Sequence, residues 1–551
     1  MKEKSKRAWL VNVVYRLATS FCLTREYIKR VRDTLHMLCP VGEAGMRKLV
    51  VEVCLIVWGM EWLAFYALFV RSPGIYSFSV FCFYAVVIAN EVLRFTAGRM
   101  ERRVLRQTEK LLNDVRHYFY DTHSVVGALH EAAIVSGYEM QVHIDIILEV
   151  LSSEDVEAAV EEYNRISGNR FLKLFLSQCV AIQEYGDTEN RGESVFVRNL
   201  SDLREDILNY LLQLERLQVE FAGLTFITLV PLLLLPAIRT TVIEMLPELS
   251  GFYGGTIGHI LPVLFLVGTI AVYGIIVEMQ ELDAHSHTNK LLRTLDKNRY
   301  ISAVLNCWEK RNYGRMIQQE RKLRCAGEMI PARLFFLEKV LYMGATVALG
   351  IVVLVWAKKG RTGILWYECI VLLICGMGAY FLPNVRVCYR KSLMRMNMLS
   401  EVTLFQSIIM MQMFIPDITV LRILTMLEQF AYIFRASIQD CINEYSYSVK
   451  SALQGMKSAE HYEPFRRLCD NLLTVDKIGI VRSFEEIVQD RMHFQKQRDA
   501  DTYRMIKKKS DYAKMIAFIP MLSIMITYLI LPYGIEAVRQ FSLILEDLSR
   551  V

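Results

Sequence analysis

The first residues to consider are those that could bind a nucleotide phosphate or a metal ion. A phosphate-binding loop has the form G-x-x-x-x-G-K-[S/T], in which backbone amides and the lysine hold the phosphates. No Gly-Lys dipeptide occurs in this chain, which excludes a nucleotide hydrolase of that class. Asp283, His285 and His287 come nearest to a metal site, but they lie beside an apolar segment without further ligands. We interpret them as a solvated polar segment and predict no catalytic residue, cofactor or metal.

The other histidines and the cysteines form no pattern that indicates chemistry. His123, His130 and His143 do not share one helical face, so we expect them at the surface. The 12 cysteines are scattered and form no C-x-x-C pair. We therefore expect reduced thiols that pack as small apolar residues.

Two carboxylates lie within apolar segments. Glu61 lies mid-way along the first of these segments and Glu368 lies within the sixth. A charged side chain in lipid costs about 2.5 kcal/mol or more, so such residues usually face the interior of a helix bundle and mark a pathway. The alternative is that both are protonated or hydrogen-bonded between helices. Glu368 is near a helix end and can reach the interface, which makes Glu61 the better functional candidate.

Four prolines lie in or at the end of apolar segments that follow polar regions. Pro231 and Pro236 belong to the segment 221–245, and Pro520 and Pro532 to the segment 515–532. Each removes a backbone donor and is expected to kink its span, with neighbouring helices satisfying the freed carbonyls.

The composition indicates that these segments lie in a lipid bilayer. Hydrophobic residues make up 53% of the 551 residues and are concentrated in blocks of about 20, the length that crosses a hydrocarbon core of about 30 Å. The net charge of +6 does not indicate nucleic-acid binding, because the basic residues crowd beside the apolar blocks. We predict an all-α polytopic membrane protein of about seven spans.

The distribution of Lys and Arg predicts the orientation. The segments 1–50, 94–110, 290–339 and 386–395 are basic and fall on one side of the predicted spans, whereas 240–289 contains no Lys or Arg. The basic side is expected to be cytoplasmic, which places both large polar regions in the cytoplasm. The cluster Lys358, Lys359 and Arg361 contradicts this rule but lies in a short loop.

The chain reads as a tandem repeat with an offset of about 290 residues. In both polar regions an aspartate, Asp121 or Asp417, precedes apolar residues at helical spacing, and a glycine, Gly186 or Gly479, precedes a long charged helix. That helix is expected to continue without a break into the next span, around residues 195–240 and 483–531. Strand patterns are absent, so each region is predicted to be a helical bundle.

These observations predict nine segments in chain order. They are a basic and amphipathic cytoplasmic segment (1–50), a transmembrane hairpin (51–95), a first cytoplasmic helical bundle (96–220), two transmembrane helices (221–280), a basic cytoplasmic linker (281–337), a second transmembrane hairpin (338–383), a second cytoplasmic helical bundle (384–513), a transmembrane helix (514–533) and an amphipathic tail (534–551).

This arrangement resembles the type II secretion system F-protein family, the inner-membrane platform proteins of type II secretion and type IV pilus systems. The resemblance depends on the tandem helical domains, the basic segments that open them, the proline-bearing spans that follow them, and the segment Arg321-Lys-Leu-Arg-Cys-Ala-Gly327, which is similar to the Leu-x-x-Ala-Gly segment of the tight-adherence (Tad) pilus branch. In that branch two separate proteins usually carry one such domain each, and here the two look fused. The second copy departs from the pattern because no apolar segment follows its span.

The resemblance implies a non-enzymatic platform in the cytoplasmic membrane. Its expected partners are a cytoplasmic hexameric ATPase, pilin or pseudopilin subunits and the lipid bilayer, and it also allows association with a second copy of the chain. Two alternatives stay open. A secondary transporter would carry intramembrane charges at matching positions of the two copies, and Glu61 and Glu368 do not match. A membrane sensor would need an output domain, and none is visible.

Overall fold

The computed structural model describes residues 22–38, 43–69, 74–190, 192–280, 313–325, 331–357, 366–414, 418–460, 462–484 and 491–550, with isolated residues in 12–20 and 302–311. Nearly all of these residues are helical. The first elements are α1 Cys22–Leu38, α2 Glu43–Phe69, α3 Ile75–Thr122, α4 Val125–Val135, α5 Tyr138–Leu151, α6 Val156–Ile166, α7 Arg170–Tyr185, the strands β1 Glu189–Asn190 and β2 Glu193–Ser194, and α8 Val195–Phe221. The antiparallel β1–β2 ribbon is a small exception to the prediction of no strands.

The remaining helices run from the first proline-bearing span to the end of the described chain. They are α9 Leu224–Met245, a 3₁₀ turn at Pro247–Leu249, α10 Ser250–Gly254, α11 Thr256–Gln280, α12 Tyr313–Cys325, α13 Ala332–Ala357, α14 Trp366–Gln412, α15 Val420–Phe430, α16 Arg435–Tyr445, α17 Val449–Ala459, α18 Glu463–Ile478, α19 Ile480–Ser483, α20 Arg491–Ala517, α21 Ile519–Ile524, a π-helix at Met525–Ile530 and α22 Leu531–Arg550.

The helices able to cross a membrane are long and apolar. Within the described residues, five helical stretches qualify by length and composition: Gly45–Phe69, Tyr76–Thr122, Val195–Met245, Leu261–Gln280 and Thr502–Ser542. The chain is therefore an all-α, multi-pass membrane protein. The two further spans predicted at 338–356 and 363–382 coincide with α13 and with the first part of α14, and the number seven stays a prediction. Both α3 and α14 run without a break through the predicted boundaries between a span and its polar region.

The chain forms two compact units. The first comprises Met1–Ala67, Tyr84–Arg216 and Glu401–Tyr503, and the second comprises Leu68–Phe83, Leu217–Ser400 and Arg504–Val551. The two polar regions of the sequence thus supply most of the first unit.

In the first unit the amphipathic helix α1 packs on α2 and α3. Ile28, Val31 and Leu35 are buried one turn apart, in a cluster with Val53 of α2 and Val92 of α3. Hydrogen bonds from the Tyr27 hydroxyl to the Ala89 carbonyl (2.9 Å) and from Arg30 to Asn90 (3.2 Å) fix α1 against α3. The sequence predicts the amphipathic helix around residues 9–17, most of which lie outside the described residues.

The two polar regions contain helices in the same order and of similar length. The helices α4 to α7 have 11, 14, 11 and 16 residues, and α15 to α18 have 11, 11, 11 and 16. As predicted, α7 and α18 each stop at a glycine. Gly186 and Gly479 adopt φ values of 76° and 80°, which an L side chain rarely adopts, and their N–H groups bond to the carbonyls of Ile182 and Val475.

The sequence also offers the two aspartates as caps of the helices that follow them, and this expectation is wrong for Asp121. Asp121 lies inside the last turn of α3 and so belongs to that helix, and Asp417 lies outside the described residues. The caps are instead Ser124 for α4, whose hydroxyl accepts from the N–H of Gly127, and Thr419 for α15, whose hydroxyl accepts from the N–H of Arg422.

The two regions contact each other inside the first unit. The Asn199 side-chain amide donates to the Gln178 side-chain oxygen (2.9 Å) and to the Met411 carbonyl (2.8 Å), and all three residues are buried. Further out, the Arg422 guanidinium donates to Glu184 at 2.9 Å. One amide thus satisfies polar groups of both regions in an interior where an unpaired group would be costly.

Candidate functional site

The site that the structure builds lies in the second unit, where the long helices α8 and α20 meet the spans. The helix α8 ends at Phe221, Gly223 takes a left-handed conformation (φ 79°), and α9 begins at Leu224. The helix α20 ends at Ala517, and α21 begins after a turn at Phe518. The prediction of an uninterrupted helix over 195–240 is therefore wrong, because Gly223 permits a break between α8 and α9. The predicted helix over 483–531 includes residues 485–490, which lie outside the described part of the chain. At the turn before Pro520, Phe518 keeps right-handed helical dihedrals (φ −79°, ψ −15°). We call the stretches 217–224 and 506–517 the first and second junctions, and together the paired junctions.

An apolar cluster joins the paired junctions to α11. Its members are Leu217, Phe221 and Leu224 from the first junction, Ile506, Ala513 and Ala517 from the second, and Val272, Ile276 and Met279 from α11. Ala513 and Ala517 are completely buried and one turn apart, so the helix backbones can approach closely.

Polar contacts lie beside this cluster and also link the paired junctions. The Glu220 carboxylate accepts hydrogen bonds from the Ser510 hydroxyl at 2.8 Å and from the Lys514 ammonium at 3.0 Å. The Ser510 hydroxyl also lies 3.1 Å from the Glu220 carbonyl, and Ser510 is fully buried. A charge-assisted pair reinforced by a buried hydroxyl ties one helix end to the other more firmly than an exposed ion pair would.

Two of the four predicted prolines free carbonyls that tyrosines satisfy. Pro236 lacks the N–H that would bond to the Leu232 carbonyl, and the Tyr76 hydroxyl donates to that carbonyl at 3.5 Å. Pro532 likewise has no N–H to offer to the carbonyl of Tyr528, four residues earlier. The Tyr253 hydroxyl donates to that carbonyl at 2.7 Å. The freed groups are thus satisfied within the protein, as backbone in lipid requires.

The four prolines occupy different positions in their helices. Pro231 and Pro236 lie inside α9, which is assigned as one helix from Leu224 to Met245. Pro520 is the second residue of α21, and Pro532 is the second residue of α22, which follows the π-helix Met525–Ile530. A π-helix inserts an extra residue into the helical turn and often marks a functional position. The kinks themselves stay a prediction.

The structure places Glu61 on the side of α2 that faces α1. Its side chain is half-buried, and it interacts electrostatically with Tyr27 of α1 and with Cys54, two turns earlier on α2. The next two residues, Trp62 and Leu63, are 73% and 74% exposed, as suits side chains that face lipid in a membrane span. Burial raises the pKa of Tyr27, and Glu61 adds to that shift. A functional role for Glu61 stays a prediction.

Glu368 is the third residue of α14, near a helix end as predicted, and its side chain lies outside the described part of the chain. Asp283, His285 and His287 also lie outside it. Among the described residues, no group of three or more His, Cys, Asp or Glu side chains could hold a metal ion.

His143 is not at the surface, contrary to expectation. It is 2% exposed in the core of the first polar region, where its Nδ1 lies 3.4 Å from the Tyr163 hydroxyl and its Nε2 is buried without a partner. Burial lowers the pKa of His143 to about 4, because the charged imidazolium is poorly solvated there. A signal was available in the sequence, since Met140, Ile144 and Ile147 place His143 on the apolar face of α5.

No protein-family model, no curated protein sequence and no solved structure matches this chain. The paired junctions and the tyrosine contacts therefore carry the functional argument by themselves. Sequence reasoning missed Glu220, Lys514, Tyr76 and Tyr253, because their partners are distant in the chain. One signal was available in the sequence: each proline frees the carbonyl four residues before it, and that carbonyl needs another hydrogen-bond donor. The sequence does not show that Tyr76 and Tyr253 are those donors.

Proposed function

We propose that this chain is the non-enzymatic inner-membrane platform of a type II secretion or type IV (Tad-like) pilus assembly system. It would couple a cytoplasmic hexameric ATPase to the extraction or assembly of pilin-like subunits. In this proposal the two polar regions are copies of one helical domain, fused in tandem. The chain is a multi-pass protein of the cell membrane, and both polar regions face the cytoplasm.

The observation that carries the proposal is the contact between the paired junctions. Two regions with the same order of helices each lead into a proline-bearing span, and the two junctions are tied to each other by Glu220, Ser510 and Lys514. Displacement of α8 or α20 by a force on the helical regions would then move both spans together. A helix transmits displacement that a flexible linker would absorb.

The helical regions themselves support a docking role. They are large in comparison with what the spans need for stability, and their mutual contacts through Asn199 hold them as one body within the first unit. We propose that this body receives the ATPase, since the sequence contains no phosphate loop and the work must be supplied by another protein.

The test first looks for a secretion ATPase among the neighbouring genes and then combines that ATPase with the full chain in lipid nanodiscs; the lack of any such gene would itself contradict the proposal. We expect the ATPase to be retained by the nanodisc-bound chain and single cysteines near Gln183 or Gln454 to be shielded from an impermeant thiol reagent in intact cells. Cysteines near Ser250 should react. An ATPase that is not retained would contradict the coupling proposal, and external labelling at Gln454 would contradict the orientation.

A further inference from the structure

Along one face of the second junction and its flanks, the exposed side chains change in order from basic to apolar. Residues spaced three and four apart share a side of a helix, and on this side every described side chain is exposed. In chain order the face carries Arg504, Lys507, Lys508, Asp511, Tyr512, Met515, Ile519 and Leu522. The series runs from cations through an amphipathic tyrosine to purely apolar residues.

The opposite side of the same helix is buried. Ile506, Ser510 and Ala513 are at most 1% exposed and belong to the cluster and hydrogen bonds of the paired junctions. Rotation of α20 would break these contacts, so the exposed face has a fixed direction.

The order of residue types matches the layers of a bilayer. Met515 is 70% exposed and Leu522 49%, as suits contact with acyl chains, and Tyr512, 62% exposed, has the amphipathic ring favoured at the membrane interface. From Lys508 to Tyr512 the helix rises about 6 Å, similar to the headgroup layer of about 5–7 Å. With Tyr512 at the boundary of the hydrocarbon core, the cations would lie at the depth of the phosphates.

The first junction and the five residues before it lack this chemistry. Residues 212–224 contain one basic residue, Arg216, and two acidic ones, Glu215 and Glu220. The face beside the second junction carries three exposed cations against one exposed acid, Asp511. The basic face is therefore a property of the second junction that the first junction does not share.

We propose that the basic face, defined as Arg504, Lys507, Lys508 and Tyr512, binds the headgroups of anionic phospholipids in the leaflet that α20 enters. The guanidinium and ammonium groups would donate to phosphate oxygens, while Met515 and Ile519 contact the acyl chains. A free phosphate offers no chains for these exposed apolar residues, which favours a lipid as the ligand. This inference does not depend on the proposed function.

The test measures lipid affinity by native mass spectrometry of the full chain in neutral detergent. Phosphatidylglycerol, phosphatidylcholine and inorganic phosphate are the three probes. Each cation near a membrane surface contributes roughly fivefold to binding of anionic lipid, so we expect R504Q/K507Q/K508Q to lose at least about tenfold in phosphatidylglycerol affinity. The control K450Q/R466Q/K477Q makes the same charge change at exposed positions of the second polar region and should lose nothing.

Three results would overturn the proposal. They are equal affinity of wild type and the triple variant, equal affinity of the wild type for the two lipids, and displacement of phosphatidylglycerol by equimolar inorganic phosphate. If the triple variant does not fold, the wild-type affinity is measured against salt. Screening should weaken it several-fold between about 50 and 300 mM salt, and an affinity independent of salt would refute the basic face as the binding site.

Discussion

The two polar regions have the same order of helices but different interiors. The first has a buried polar pair, His143 of α5 and Tyr163 of α6. The second buries Cys441 of α16 and Met456 of α17, and the rings of Phe434 and Phe465 stack in it with centroids 4.1 Å apart. Helix lengths, caps and the left-handed glycines therefore set the architecture, while the chemistry of the core is free to differ.

The difference extends to how each region fixes its second helix. In the second region the Glu401 carboxylate, 8% exposed, accepts from the backbone N–H groups of Tyr432, Ile433 and Phe434 at 2.8–3.1 Å and so caps the start of α16. In the first region side chains of α3 hold the first turn of α5 instead: the Gln107 amide donates to Glu139 at 2.7 Å, and Arg103 pairs with Glu139 at 3.2 Å. Burial raises the pKa of Glu401, and the three N–H donors oppose that shift.

Removal of the Glu401 cap should have the largest effect. Glu401→Ala leaves three backbone donors without their acceptor and should destabilise the α15–α16 segment by about 3 kcal/mol, whereas Glu401→Gln keeps one acceptor oxygen and should cost about 1 kcal/mol. Hydrogen exchange of the amides of Tyr432 to Phe434 measures this locally. The control is Gln107→Ala, which removes no side-chain acceptor of a backbone N–H group. Equal protection in wild type and Glu401→Ala would show that the cap contributes nothing.

Acid should act on the first region and spare the second. The pKa of His143 is about 4 in the fold against 6.5 for an ordinary histidine, so between these values the unfolded chain binds more protons. Stability is then complete above about pH 6.5 and falls as the pH drops toward 4, with a loss of about 2 kcal/mol at pH 5.

The measurement is hydrogen exchange in α5 and α6 at pH 7 and pH 5, corrected for intrinsic rates. His143→Leu should remove the pH dependence, and the exposed His130→Leu should retain it. A second region that loosens equally at pH 5 would contradict the distinction between the two cores.

The hydrogen bonds to the two carbonyls freed by proline should contribute unequally to stability. The bond from Tyr253 is short, 2.7 Å, and that from Tyr76 is long, 3.5 Å. Tyr253→Phe should therefore cost about 1.5 kcal/mol and Tyr76→Phe about 0.5 kcal/mol, in the range of interhelical hydrogen bonds in membranes. Thermal unfolding of the two variants in one detergent checks the order. The reverse order, or no loss from Tyr253→Phe, would mean that the carbonyls are satisfied in another way.

Local patterns predicted the helices well and distant contacts poorly. Periodicity located α4 and α15, and the glycines located the ends of α7 and α18, because these signals act within a few residues. The cap of α4 was misplaced because α3 extends past Asp121, which tertiary packing decides. The contacts of Tyr76, Tyr253 and Glu220 could not be predicted, since their partners lie 156, 275 and 290 or more residues away. Gly223 was a missed local signal for the break between α8 and α9.

We propose that α20 transmits displacement from the second helical region to the paired junctions. The decisive measurement inserts Gly-Gly-Ser after Asp499, within the uninterrupted helix Arg491–Ala517. The matched control places the same insertion after Ser446, in the exposed turn between α16 and α17. We expect the first variant to retain the ATPase in nanodiscs and to lose export of pilin-like subunits in cells, and the control to retain both. Normal export with the helix interrupted would contradict the account.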